Sequence, residues 1–204
     1  HRKMPRWRSY KKDLGWIPFK ASAIKINEDV IIYYKMPIRI WKSRELKGPI
    51  KTGSFSSDSR GRWYVNLVCD IPEQQPTSDK SVGIDLGLKT HITCSDGTKF
   101  THPNLTKQFE KQLATAQMAG KSKQITNINA KIKNIRKDWS HKTTTKLSKE
   151  NSIIVIGNVA TTKLINKSKG FNKSLYDASW FQLKTMLKYK AQLLGGKYIE
   201  IDEA

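Results

Sequence analysis

The chain has 204 residues, enough for one or two domains, and 37% of them are hydrophobic, which suffices for a core. It carries 38 Lys and Arg against 17 Asp and Glu, a formal net charge of +21. Because such an excess destabilises a folded chain by self-repulsion, it indicates a polyanionic partner, nucleic acid first and an anionic membrane surface second. No apolar run approaches the roughly 20 residues that span a bilayer, and no signal peptide is visible. The two lone cysteines fit a reducing cytoplasm. We expect a cytoplasmic, nucleoid-associated protein whose partners include neither a membrane nor a small-molecule substrate.

The first 19 residues interleave basic and aromatic side chains. Basic side chains attract phosphates and aromatic rings stack on bases, so this segment favours nucleic-acid binding. The alternative is a solvated arm whose rings pack on the body of the protein. We predict that the contacts come from Arg6, Trp7, Arg8 and Tyr10.

Residues 20–71 contain short apolar segments separated by turn formers. The predicted strands are 21–26, 30–33, 37–40, 50–56 and 63–69. Several short strands at this spacing are typical of a small antiparallel barrel or sandwich, and we expect the barrel. Cys69 and Cys94 lie in two such runs without a CxxC motif, which favours packed free thiols.

A polar segment with two prolines, IPEQQPTSDK, follows and has no periodicity. It predicts a domain boundary. We expect a basic aromatic arm plus barrel over residues 1–71, a linker over 72–80 and a second domain over 81–204.

The segment SVGIDLGLKTHITCSDGTKF begins the second domain. An apolar run delivers a single carboxylate, Asp85, into a glycine-flanked turn, and Asp96-Gly97 predicts a hairpin further on. A buried strand rarely carries an acid unless the acid is paired, hydrogen-bonded or bound to a metal. Asp85 is therefore the first candidate for chemistry.

Residues 105–149 predict a long helical region with a break at Gly120-Lys121. Isoleucines recur at three- and four-residue steps from 125 to 135 and form one narrow apolar stripe. Basic residues cover the remainder. A solvated helix face is the ordinary reading of such a charge run, but the net charge favours a hairpin that faces nucleic acid. Its predicted contacts are Lys131, Arg136, Lys137 and Lys142.

The end of the chain predicts a strand at 152–156, a helix over 173–194 with Trp180 in its core face, and a last strand at 197–202. The order of the second domain is then three strands, a long helical insert, a strand, a helix and a strand. That is the order of the ribonuclease-H-like fold, whose first strand is central with the fourth beside it. Its chemistry is two-metal phosphodiester hydrolysis, in which carboxylates hold Mg²⁺ or Mn²⁺. The same hairpin also opens actin-like ATPases and sugar kinases, although these are seldom so basic.

Four motifs together resemble the TnpB/OrfB family of transposon-encoded, RNA-guided DNA endonucleases with a RuvC-like nuclease core. They are GIDLGLKT with SDG (83–97), RKDWSHKTTTKL (136–147), IIVIGNV (153–159) and SLYDASWFQLKTMLKYKA (174–191). The resemblance implies guide RNA and DNA as partners, and a first domain similar to that family's wedge domain. Asp177, from the same motif, is expected to play a structural role.

The resemblance assigns Asp85 to the first RuvC carboxylate. The second, usually a Glu, falls on Gly157, which cannot bind a metal, and part of the family supplies its Glu from the next strand. That position is Glu203, whereas the strand period turns Glu200 and Asp202 to the opposite face. The third carboxylate and a zinc ribbon would follow Ala204, so Zn²⁺ is expected only in that missing segment.

Three functions remain open on the sequence. The first is an RNA-guided, metal-dependent DNA endonuclease, with bases of the guide supplying recognition. The second is a binding protein on the same scaffold without nuclease activity, which Gly157 favours. The third is a cut-and-paste transposase, which predicts strand transfer without a guide.

Overall fold

The computed structural model describes residues 15–72, 74–76, 78–102, 105–158 and 179–202, apart from the side chains of Thr106 and Asn158. The chain divides into two compact units, 1–72 and 73–204, which are treated separately below. In the described ranges, no helix is long and apolar enough to cross a membrane. Both units together form a mixed α+β protein.

Residues 15–72, the described part of the first unit, contain six strands in two antiparallel sheets of three. The order in one sheet is β1-β5-β6 and in the other β2-β3-β4. A short 3-10 turn, Ala21–Ala23, separates the first two strands. The strands are β1 (Trp16–Lys20), β2 (Ile24–Asn27), β3 (Val30–Tyr33), β4 (Met36–Arg39), β5 (Ile50–Ser57) and β6 (Trp63–Cys69).

The predicted closed barrel is wrong for this unit. No ladder joins the two sheets among the described strands, so each keeps two edges. What unites them is one hydrophobic cluster to which both contribute, with Phe19 and Phe55 from one sheet and Ile24 and Ile31 from the other. Alternation of apolar and polar residues is compatible with either arrangement, because it fixes which face is buried and not which strands pair.

Strand β1 was not predicted, because its sequence, WIPFK, lies in the basic aromatic segment and contains Pro18. Proline cannot donate to a ladder, which argues against a central strand. The structure places β1 at the edge of its sheet, where it pairs only with β5 and Pro18 lies opposite Ser54.

In the second unit, the described strands form a five-stranded sheet of order β11-β10-β7-β8-β9. The first of its strands in sequence is central and the fourth lies beside it, as expected. Strands β7, β10 and β11 are parallel, and β7, β8 and β9 are antiparallel. The strands are β7 (Ser81–Asp85), β8 (Ile92–Cys94), β9 (Lys99–Phe100), β10 (Ile153–Asn158) and β11 (Lys197–Asp202).

The turn between β8 and β9 has the chemistry that Asp-Gly predicts. Gly97 adopts φ +84°, and the Thr98 amide donates to Asp96 Oδ1 at 2.8 Å. Cys69 and Cys94 are both free thiols, as predicted. Burial, with smaller contributions from Asp96 and Glu150, raises the pKa of the Cys94 thiol to about 11, so this cysteine is a packed apolar group.

The described residues of the second unit also form three helices. They are α1 (Leu105–Met118), α2 (Ser122–Glu150) and α3 (Trp180–Leu193). The predicted break is present, with Gly120 at φ +62° between α1 and α2. The helix predicted over 173–194 is present from Trp180, and Ser179 directly before it has φ +48°, while its predicted start at residue 173 is not among the described residues. Residues 159–178, which include Asp177, lie outside the described residues.

Helix α2 is long enough to serve two different partners. Its first half packs on α1, where Ile125, Ile128, Ile132 and Ile135 meet the side of α1 that carries Phe109. Its second half packs on α3 and on the sheet through buried positions from Ser140 to Ser148. The isoleucine stripe therefore forms the predicted hairpin, while the small polar residues that follow it lie in the body of the unit.

Candidate functional site

Asp85 is the last residue of the central strand and is exposed. The ladders align Ile84 with Ile156 on one neighbouring strand and Ile156 with Glu200 on the strand beyond. One residue further along, Asp85 comes level with Gly157, and Gly157 is aligned with Ile201. The carboxylate therefore lies at the edge where the three parallel strands end.

The two faces of the sheet differ at this level. Ile84, Ile154 and Ile156 point into the core beneath α3 and the second half of α2. Because side chains alternate along a strand, Asp85, Gly157 and Ile201 share the opposite face. Ile199 and Ile201 are 45% and 53% exposed there, so this face is open in the part of the chain that the structure describes.

The structure shows where one acid of β11, Glu200, lies. Glu200 accepts a hydrogen bond from the Tyr198 hydroxyl at 2.9 Å, and its second oxygen is 3.6 Å from Lys184 Nζ on α3. Burial, followed by this bond to Glu200, raises the pKa of Tyr198. Glu200 therefore belongs to the helix-covered face, as its strand position predicted. Glu203, the predicted partner of Asp85, lies outside the described residues.

The described residues around Asp85 supply only part of the ligand set that a metal ion needs. Within residues 15–72, 74–76, 78–102, 105–158 and 179–202, no group of three or more His, Cys, Asp or Glu side chains could hold a metal ion. Gly157 contributes no side chain at the position level with Asp85. The Asp85 carboxylate has the oxygen chemistry that Mg²⁺ and Mn²⁺ prefer, and it fits as one ligand of such a site.

The described basic residues of the predicted nucleic-acid surface lie on α2. Lys131, Lys137 and Lys142 are exposed, whereas Arg136 is half-buried. The Lys131 ammonium lies 5.2 Å from the centre of the Phe109 ring on α1, a cation–π contact that holds its stem against the hairpin. Lys142 Nζ is 2.7 Å from Asp138 one turn earlier, an exposed pair that contributes little to stability. Arg6, Trp7, Arg8 and Tyr10 lie outside the described residues.

A shallow groove on the second half of α2 joins the predicted contact Lys142 to two lysines that the sequence-based site did not include, Lys146 and Lys149. The three recur at four- and three-residue steps and line the groove together with Thr145 and His141. Lys146 Nζ lies 5.7 Å from the centre of the Phe100 ring of β9. The helical spacing of these three lysines was readable in the sequence and could have found this surface.

Beneath that groove, Lys190 of α3 is a buried cation. Its Nζ donates to the His141 carbonyl and to the hydroxyls of Thr144 and Thr145, each at 2.7 Å. Burial lowers the pKa of Lys190 to about 8. These bonds tie α3 to the second half of α2 and thereby fix the helix that carries the basic groove.

His91 and His102, from two loops, pack together against Trp139 of α2. The His102 amide donates to His91 Nδ1 at 3.1 Å, the two rings lie 5.3 Å apart, and both contact the Trp139 ring. The sequence assigned no metal to either histidine. Their packing with Trp139 places them in the interior of the unit, where Trp180 is also buried as predicted.

Comparison with known proteins identifies the family. The model of the OrfB_IS605 family, described as "Probable transposase", matches residues 65–168. A "Putative RNA-guided DNA endonuclease" of Streptomyces pristinaespiralis is 31% identical over 217 residues, which cover 98% of this chain and 54% of that protein. "Putative RNA-guided DNA endonuclease InsQ" of Escherichia coli strain K12 is 27% identical over 195 residues, which cover 82% of this chain and 48% of that protein.

The chain belongs to the OrfB_IS605 family of transposon-encoded proteins. This membership confirms the resemblance to the TnpB/OrfB family that its motifs carry. The chain spans about half the length of the curated relatives it matches. Among solved structures, a chain of a Cas12f1–sgRNA–target DNA complex is 15% identical with a TM-score of 0.44, covering 94% of this chain and 53% of that one.

Proposed function

We propose that the chain forms part of an RNA-guided DNA endonuclease with a ribonuclease-H-like, RuvC-type nuclease domain over residues 81–204. The observation that carries the proposal is the position of Asp85, an exposed carboxylate at the end of the central strand of a β11-β10-β7-β8-β9 sheet. Membership of a transposon-encoded family and the names of its two relatives support the same activity.

Asp85 and Glu203 would hold divalent metal, Mg²⁺ or Mn²⁺. Strands in a sheet are about 4.8 Å apart, so β7 and β11 are separated by roughly 10 Å with Gly157 between them. Without a side chain at Gly157, that gap stays open for ions and a phosphate. When bound, the metal ions would activate water and stabilise the leaving oxygen of a phosphodiester. The role of the chain is to fix the carboxylates on one rigid edge.

The lysines of α2 would contribute the binding of nucleic acid. Residues 105–150 contain eleven Lys and Arg but only three Asp and Glu. The exposed lysines of α2 attract phosphates without regard to base sequence. Base pairing with the guide would supply sequence recognition. Steep weakening of binding with salt is the expected signature, and a flat salt response would contradict it.

Cleavage of target DNA by the full-length protein, with its guide RNA and Mg²⁺, tests the nuclease assignment. We expect Asp85→Ala to reduce the cleavage rate by at least about 100-fold, because it removes a metal ligand. Glu203→Gln is expected to reduce it in the same way. Glu200→Gln is the matched control, since Glu200 faces α3, and it should leave the rate near that of the parent. Undiminished cleavage by Asp85→Ala would show that the site is wrongly placed.

A second function, nucleic-acid binding without cleavage, is favoured by Gly157. A glycine stands where the family usually has a metal-binding glutamate, so the site depends on a substitute from β11. If the full-length protein binds its guide and target but cuts neither strand with Mg²⁺ or Mn²⁺, this second function replaces the first.

A further inference from the structure

The first unit contains a cavity of about 320 Å³ that none of the functions above uses. This volume is at the lower end of the roughly 300–1,000 Å³ typical of ligand pockets. Its walls come from both sheets of the unit and from the segment 40–46, which passes beside them. The lining residues are Ile26, Ile40, Trp41, Lys42, Ser43, Arg44, Leu46, Val65, Asn66 and Leu67.

Trp41 is the most unusual residue of this cavity. Its side chain is 94% exposed, although tryptophan is highly buried on average in folded proteins. The neighbouring wall is aliphatic, with Ile26, Val65 and Leu67 from two different sheets. A flat aromatic ring beside an apolar wall is suited to a flat ligand that stacks on the ring and inserts one edge.

The segment that carries Trp41 is held at both ends. Before it, the Ile40 amide donates to the Asp29 carbonyl at 2.7 Å, and after it the Asp70 amide donates to the Pro49 carbonyl at 3.0 Å. Gly48 lies so close to the Asp70 carbonyl that a Cβ at this position would overlap it. These contacts fix the two positions at which the segment leaves and rejoins the sheets. The backbone that carries the exposed Trp41 ring is therefore anchored at both ends.

The rim of the cavity is cationic. Lys42 Nζ is 2.7 Å from Glu45 Oε2, which offsets the single acid of the segment 41–47. Arg44 and Lys47 are exposed on the same segment. A ligand that combines a flat ring with negative charge matches this surface better than an apolar peptide, which would gain nothing from the arginine and lysine.

We propose that Trp41 and this cavity bind one unpaired nucleobase of a nucleic-acid strand, with Arg44 and Lys47 contacting its phosphates. The inference rests on the nucleic-acid-binding part of the proposed function and assigns it a specific subsite. Stacking of a base on an aromatic side chain contributes about 1–3 kcal/mol and tolerates any base. The site therefore adds affinity for unpaired strands without reading their sequence.

The test uses the 204-residue chain and labelled 12-nucleotide strands of uridine RNA, thymidine DNA and an abasic DNA of equal length. We expect Trp41→Ala to weaken binding of at least one base-carrying strand roughly 5- to 150-fold, the range that 1–3 kcal/mol corresponds to. The same variant should bind the abasic strand as the parent does, because that strand keeps its phosphates and has no base to stack. Whichever strand loses affinity, RNA or DNA, identifies the source of the base.

Two further variants separate stacking from charge. Trp41→Phe keeps an aromatic surface and should restore most of the affinity, while the quenching of tryptophan fluorescence by the strand falls relative to the parent. Arg44→Gln should weaken the binding of all three strands and make their affinity less dependent on salt concentration. Lys35→Gln, in the turn between β3 and β4, is the matched charge control and should have a smaller effect.

The outcomes distinguish this subsite from the wider function. If the parent binds the strands but Trp41→Ala binds them equally well, the subsite is wrong and the nucleic-acid function stands. Equal losses on base-carrying and abasic strands would also overturn it, since stacking requires a base. If the parent binds none of the three strands at low salt, the nucleic-acid function fails together with the subsite.

Discussion

The two faces of the five-stranded sheet have opposite properties, although the same strands form both. One face carries Ile84, Ile154 and Ile156, which are buried beneath α3 and α2. The other carries Asp85, Gly157 and the exposed side chains of Ile199 and Ile201. Alternation along each strand thus separates residues that stabilise the unit from residues available for chemistry.

A pair of neighbouring isoleucines gives the largest expected effect on stability. Ile154 is fully buried on the covered face, so Ile154→Ala should lower the free energy of unfolding by about 2–5 kcal/mol through lost burial and a cavity. The same substitution at Ile153, which is 36% exposed on the other face, should cost about 1 kcal/mol or less. Urea denaturation of both variants measures the difference. Equal losses would mean that the two faces are equally buried.

An intermediate effect is expected at Lys190, which joins α3 to α2 on the covered face. Its pKa is lowered to about 8 in the folded state from 10.5, so between these values the unfolded chain binds one proton more. Stability should therefore rise with pH across this window, by an amount on the order of 1–2 kcal/mol after allowance for solvent screening.

Lys190→Met keeps the packed stem and removes the titrating group, so the rise should be absent from the variant and should appear as a pH-dependent difference between parent and variant. Chemical denaturation at several pH values between 7.5 and 10.5 measures it. Lys188→Met, at an exposed position of the same helix, is the control and should preserve the rise. A parent and a Lys190→Met variant with parallel pH profiles would contradict a buried cation at this junction.

The smallest effect on stability is expected at Asp85. Because its side chain is exposed on the open face, Asp85→Asn should change the free energy of unfolding by no more than about 0.5 kcal/mol. Thermal and urea denaturation of the variant provide the measurement. A loss above about 2 kcal/mol would make this carboxylate a structural group and would remove the main support for the nuclease site.

Much of the second unit was predictable from local patterns. The run at 81–85, the Asp-Gly turn and the strand at 197–202 each combine apolar alternation or continuity with a clear stop signal, and the structure has them at those positions. The isoleucine stripe likewise predicted the packing of α2 on α1. These features depend on contacts within a strand or between helices adjacent in sequence.

Other features required the folded chain. Strand β1 escaped prediction because Pro18 argues against a strand until its position at a sheet edge is known. The barrel predicted for the first unit was wrong, because alternation of apolar and polar residues shows which face of a strand is buried and not which strands pair. The buried Lys190 looked like any other basic residue, since its three acceptors lie 45 or more positions away.

The sequence by itself determined the family, the excess of positive charge and the strand end that carries Asp85, since each is written in contiguous residues. Only the tertiary structure decided which residues of other strands lie on the same face of the sheet as that carboxylate. It also decided which lysines line one groove and which aliphatic residues lie beside Trp41. The physical reason is that a strand or helix period assigns a residue to a side of its own element. What lies opposite that side depends on segments far away in the chain.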